Sequence, residues 1–61
     1  MNWGKDDVLI LLWILDKYCK LNKKSPNDLG DEDWSYISKM VPFRNGKDCM
    51  FKWLSLRQNR L

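Results

Sequence analysis

The sequence contains no histidine and only two cysteines, Cys19 and Cys49. Neither residue pairs with another at metal-ligand spacing, so no metal site is expected. Without histidine, general acid–base work falls to Asp, Glu, Lys, Tyr or Cys. The acids cluster at helix starts and in a polar loop, where capping accounts for them. No glycine-rich phosphate loop is present. Catalysis, cofactors and small-molecule substrates are therefore not expected. No run of 18 apolar residues and no leader pattern occurs, so nothing points to a membrane span or to secretion. A disulfide is not expected either. Each cysteine lies in an apolar helical stretch, where free cysteine is a common core residue, and a reducing intracellular setting fits best. No segment shows strand-like alternation, and there is no repeat or low-complexity tract.

The 61 residues carry four tryptophans, and aromatics make up 13% of the chain. One domain, spanning 1–61, is the most this length allows. A domain so small buries only roughly 60% of the surface its unfolded chain exposes, so its core must be dense. Large aromatics, at about 150–250 Å² buried apiece, supply that density. Charge is unevenly spread. Residues 1–38 hold five Lys against seven Asp or Glu, a net −2, while residues 39–61 hold six Lys or Arg against one Asp, a net +5. Such a basic end is either a solvated helix face or a phosphate-facing surface.

Three helices follow from the pattern. In the first, over about 5–21, Val8, Leu11, Leu12, Ile14, Leu15 and Tyr18 fall within one arc of about 160°. Asp6 and Asp7 in its first turn, and Lys17 and Lys20 near its end, suit the helix dipole. A polar loop fills about 22–30. The second helix, about 31–41, starts with Asp31 as a cap; Trp34, Ile37 and Met40 or Val41 repeat at helical spacing, and Pro42 ends it. The third, about 46–58, is capped by Asn45, with Asp48 completing a capping-box-like pair. The expected core is Trp3, Leu11, Leu12, Leu15, Tyr18, Trp34, Ile37, Cys49, Trp53 and Leu56. Leu9 and Trp13 project directly away from it. Either the long loop folds over them, or they meet a protein partner or a second copy.

The local text around the tryptophans carries more. Trp3-Gly4-Lys5-Asp6-Asp7 is followed by Leu11, Leu12, Leu15 and Tyr18. Then come Trp34-Ser35-Tyr36-Ile37-Ser38-Lys39, Arg44-Asn45-Gly46-Lys47-Asp48-Cys49 and Lys52-Trp53, with Trp34 and Trp53 spaced 19 residues apart. This text resembles the Myb repeat family from about Trp3 to Leu56. The resemblance implies an all-α three-helix bundle whose last two helices form a helix-turn-helix variant, with the third helix in the DNA major groove. It implies a nuclear module of transcription or chromatin regulation. Lys47 aligns with a family lysine that contacts bases. Phe51, Leu54, Ser55 and Gln58 share its outward face, and Lys39, Arg44, Lys52, Arg57 and Arg60 are candidate phosphate contacts.

The sequence also departs from the family. The gap between Trp3 and Trp34 is longer, with the extra residues in the loop. Gly4 replaces a hydroxyl cap, and Phe43 replaces a glycine in the turn. Phe51 stands where an acidic reader is frequent, and Ser55 where asparagine is. The run from Cys49 to Leu56 is also similar to the third helix of SANT modules in scaffold subunits of SWI/SNF-type remodellers. Those mostly bind proteins or histone tails, which makes a protein-interaction module the alternative reading. A homeodomain-like reading is more remote, because the polar residues after Trp53 are out of register.

Overall fold

Each of the three helices opens in the same way. In the computed structural model, which describes residues 3–58, an Asp at the third helical position accepts the backbone N–H of the residue before the helix. Asp7 takes Gly4 N–H at 3.3 Å, Asp33 takes Gly30 N–H at 2.9 Å and Asp48 takes Asn45 N–H at 3.4 Å. Asn45 reciprocates, its Oδ1 accepting Asp48 N–H at 2.8 Å, so only the third helix has a full capping box. The helices are α1 (Lys5–Asn22), α2 (Asp31–Ser38) and α3 (Gly46–Gln58). Among the described residues there is no strand, and no helix is long and apolar enough to cross a membrane.

The boundaries depart from the sequence expectations in three places. Gly30, not Asp31, is the cap of α2, and Asp31 is its first helical residue. The 22–30 segment is not plain loop, since Pro26–Asp28 form a 3-10 turn opened by Ser25, whose Oγ accepts Asn27 N–H at 3.3 Å. Helix α2 stops at Ser38 instead of 41. Beyond it the chain tightens: Met40 N–H bonds the Ile37 carbonyl at 3.0 Å and Val41 N–H the Ser38 carbonyl at 3.1 Å. Proline at 42 disfavours the α conformation for Val41, so the helix winds down in three-residue steps before it.

The buried core joins Leu11, Ile14, Leu15 and Cys19 of α1 to Trp34, Ile37, Val41 and Cys49. Trp3, Ile10, Tyr18, Leu29, Met50 and Trp53 pack against it while partly exposed. Leu56 is half-buried. Leu12 was expected inside but is 37% exposed. It lies at the outer edge of the apolar arc, about 100° from Leu11, where cover is incomplete. Of the two residues offered for the end of α2, Val41 is buried and Met40 exposed. Both cysteines are free thiols.

Helix α3 starts hard against α2. A Cβ added to Gly46 would stand 3.1 Å from the Ser35 nitrogen and 3.2 Å from the Trp34 carbonyl carbon. These are backbone atoms and cannot swing aside, so glycine permits the close crossing. The turn before it requires φ of 60° at Phe43. That left-handed conformation favours glycine, and Phe43 occupies it while 94% exposed. Lys23, φ 54°, closes α1 in the same conformation, and Lys24 N–H bonds back to the Cys19 carbonyl at 3.0 Å.

Candidate nucleic-acid interface

Helix α3 is about 20 Å long and turns Cys49 fully inward. With Cys49 fixed there, the 3.6-residue period carries Lys47, Phe51, Leu54, Ser55 and Gln58 to the opposite side, and all five are exposed. Phe51 is 60% exposed. Met50 and Trp53 flank the buried side, each half-buried, and the enclosed Trp53 Nε1 has no acceptor among the described residues. Lys52 is half-buried. Arg57 and, at the end of α2, Lys39 are exposed. Among the described residues Lys39, Lys47, Lys52 and Arg57 form no salt bridge. Arg60 lies outside the described residues.

Arg44 is the main correction. It was expected to reach phosphate, yet its side chain is only 6% exposed. The guanidinium lies over the Trp3 ring, 4.3 Å from the centroid, with Asp7 Oδ2 at 3.9 Å from Nη2. It clamps the turn before α3 onto the start of α1, and nothing in its immediate sequence signals a partner 41 positions away.

The long loop does not cover Leu9 and Trp13, which are each 63% exposed. Pro26, Asn27 and Leu29 instead line a shallow hollow with Met50, Leu54 and Arg57 of α3. Trp13 carries only the Lys17 ammonium over its ring, 5.3 Å from the centroid.

Tyr18, Asp33 and the two cysteines are committed to the fold. Tyr18 OH donates to Asp33 Oδ1, and Lys24 Nζ and Gly30 N–H also donate to that carboxylate. The Tyr18 hydrogen bond, followed by those from Gly30 and Lys24, holds the Asp33 carboxyl down at about 2, and the same bond pushes Tyr18 up to about 12. Burial pushes the Cys49 thiol up to about 11 and raises Cys19 as well. Both therefore stay protonated and poorly nucleophilic. No cluster able to hold a metal occurs among the described residues.

Three helices, with α3 crossing α2 tightly at Gly46, agree with the fold that the sequence resemblance implies. Residues 3–60 match the Myb-like DNA-binding domain. The chain belongs to that family. No curated protein and no solved structure gave a significant match. Membership accounts for the fold and points to DNA as partner. The family is a binding one, not an enzymatic one. In this Myb-like domain Phe43 holds the left-handed position of the turn, and the outward face of α3 sets Phe51 and Leu54 among Lys47, Ser55 and Gln58.

Proposed function

We propose that this Myb-like domain is a nuclear double-stranded DNA-binding module of a transcription or chromatin factor, with α3 seated in the major groove. One observation carries the reading. Lys47, Phe51, Leu54, Ser55 and Gln58 are exposed together on one side of a helix whose other side holds the core residue Cys49. The major groove, about 12 Å wide, admits such a helix. Lys47 reaches guanine acceptors or a phosphate, and Gln58 adds a hydrogen-bonding tip. Lys39, Lys52 and Arg57, all without carboxylate partners among the described residues, supply phosphate contacts. Arg44 does not belong to this set, being spent on Trp3 and Asp7.

One small module buries only about 600–1,000 Å², so the isolated domain binds weakly and gains affinity from tandem copies, dimers or a complex. The test is a salt titration of duplex binding by fluorescence anisotropy. With four cations engaged, log K falls against log salt with a slope of about −3.6, and Lys47→Glu abolishes binding. No duplex binding by the wild type at low salt refutes the reading. It would favour the SANT-type alternative, in which Phe51 and Leu54 are the anchors for a protein partner; their exposure on one face supports that reading.

A further inference from the structure

The chain has four serines and no threonine. Ser35 and Ser38 lie within α2 and Ser55 within α3, and the Ser38 hydroxyl donates to the Ser35 carbonyl at 2.7 Å. Ser25 is the one serine outside an α-helix. It is exposed, its backbone is extended at φ −85° and ψ 148°, and its peptide bond to Pro26 is trans. Its Oγ accepts Asn27 N–H at 3.3 Å, which leaves the O–H outward and unspent. A protein kinase takes its acceptor as extended backbone, and a serine inside a helix offers that only after local unfolding. Pro26 follows the hydroxyl with a fixed φ and no N–H, the feature that a proline-directed kinase selects. The other proline, Pro42, follows Val41 and presents no hydroxyl.

The place of Ser25 gives its modification a consequence. Pro26 and Asn27, the next two residues, share a hollow with Leu54 and Arg57 of α3. The hydroxyl thus stands one residue from a hollow lined by a cation that the proposed function assigns to DNA phosphate. Arg57 forms no salt bridge among the described residues, and neither does Lys23, two residues before Ser25. Asp28 in the same turn is the opposing acid, while Asp33 is already paired with Lys24. We propose that Ser25 is the acceptor of a proline-directed serine kinase and that its phosphate draws Arg57 away from DNA. The second half rests on the duplex-binding reading. In the transfer, the bond from Ser25 Oγ to the γ-phosphorus of ATP forms as the bond from that phosphorus to the β,γ-bridging oxygen breaks. ADP leaves, and the hydroxyl proton passes to the base of the kinase. The resulting ester carries about −1.5 to −2 charge at pH 7 with three acceptor oxygens, and a guanidinium grips such a group through two parallel N–H donors.

The test treats the 61-residue chain with a cyclin-dependent kinase and ATP and reads the product by mass spectrometry. One phosphoryl group is expected, on Ser25, with none added to Ser25→Ala and roughly tenfold slower transfer to Pro26→Ala. No transfer, or transfer to Ser35, Ser38 or Ser55 instead, overturns the proposal. The pairing is then read without DNA. A 31P titration should place the second ionisation of the phosphoserine below its ordinary value of about 6, and further below it in the wild type than in Arg57→Ala. The same value in both overturns the pairing with Arg57. On duplex, loss of one cation contact should weaken binding about eightfold at roughly 0.1 M salt and lessen the salt slope by about 0.9. In Arg57→Ala, phosphorylation should leave the slope where it stands; a loss as large as in the wild type overturns the assignment to Arg57. An unmodified chain that binds no duplex at low salt refutes the proposed function and takes the DNA half of the proposal with it. The mass and 31P readings still decide the acceptor and its pairing in that case.

Discussion

The Arg44 guanidinium rests on the face of Trp3, 4.3 Å from the ring centroid, and closes the start of α1 onto the turn before α3. A nearly buried guanidinium on an indole contributes about 1–2 kcal/mol. Arg44→Ala is expected to lower stability by that amount in urea unfolding. A double-mutant cycle with Trp3→Ala should recover a coupling of about 0.5–2 kcal/mol. The salt slope of duplex binding should stay unchanged in Arg44→Ala at a temperature where it is folded, whereas Arg57→Ala should reduce it by about 0.9.

Phe43 holds φ at 60° with its ring in solvent. The left-handed conformation costs a side-chain-bearing residue roughly 1–2 kcal/mol, and glycine avoids this at an entropic cost of about 0.5–1 kcal/mol. Phe43→Gly is therefore expected to raise the urea midpoint, by about 0.5–1 kcal/mol in stability. Phe43→Val should lower it, since a β-branched side chain tolerates this conformation least.

Asp33 and Tyr18 fix how stability depends on pH. The Asp33 carboxyl sits at about 2 against its ordinary 3.8, so its contribution is complete above about 4 and is lost as pH falls through 2. The Tyr18 hydroxyl sits at about 12 against 10.0, so its contribution is present below 10 and is lost as pH rises through 12. Asp33→Asn should flatten the acid limb of a plot of melting temperature against pH. It should also shrink the alkaline limb, because the Asp33 hydrogen bond is the first cause of the Tyr18 shift.

Phe51 has no hydrogen bond to offer, but its ring can cover the 5-methyl group of thymine. In duplexes enriched by this domain, replacing thymidine with deoxyuridine should weaken wild-type binding about fourfold for each methyl it buries. Phe51→Ala should bind both duplexes equally. Equal binding of both by the wild type would leave duplex recognition intact and remove methyl readout alone.

Helix existence was legible because Leu11, Leu15, Trp34, Ile37, Cys49 and Trp53 recur at helical spacing and local text determines local structure. Asn45 and Asp48 were legible as a cap for the same reason, since the pair closes within one turn. What could not be read depends on the third dimension. Leu12 sits on the rim of an arc whose width periodicity does not limit. The retreat of α2 from Val41 to Ser38 is a competition between Pro42 and three-residue hydrogen bonds. Arg44 was assigned by charge, and its partner Trp3 becomes a neighbour only when the chain folds back. The surroundings of Trp13 were half visible. Trp13 stood out as facing away from the core, but Tyr36 and Met40 join it only through the packing of α2 on α1.

The two core thiols make the domain its own stopwatch. Cys49 on α3 is fully buried and Cys19 on α1 only 8% exposed, and burial keeps both thiols protonated and slow to alkylate while the helices stay together. Each sulfur reacts fast once the packing around its own helix opens. Mass spectrometry over time would therefore tell whether the first helix peels away before the helix-turn-helix pair, or all three let go at once.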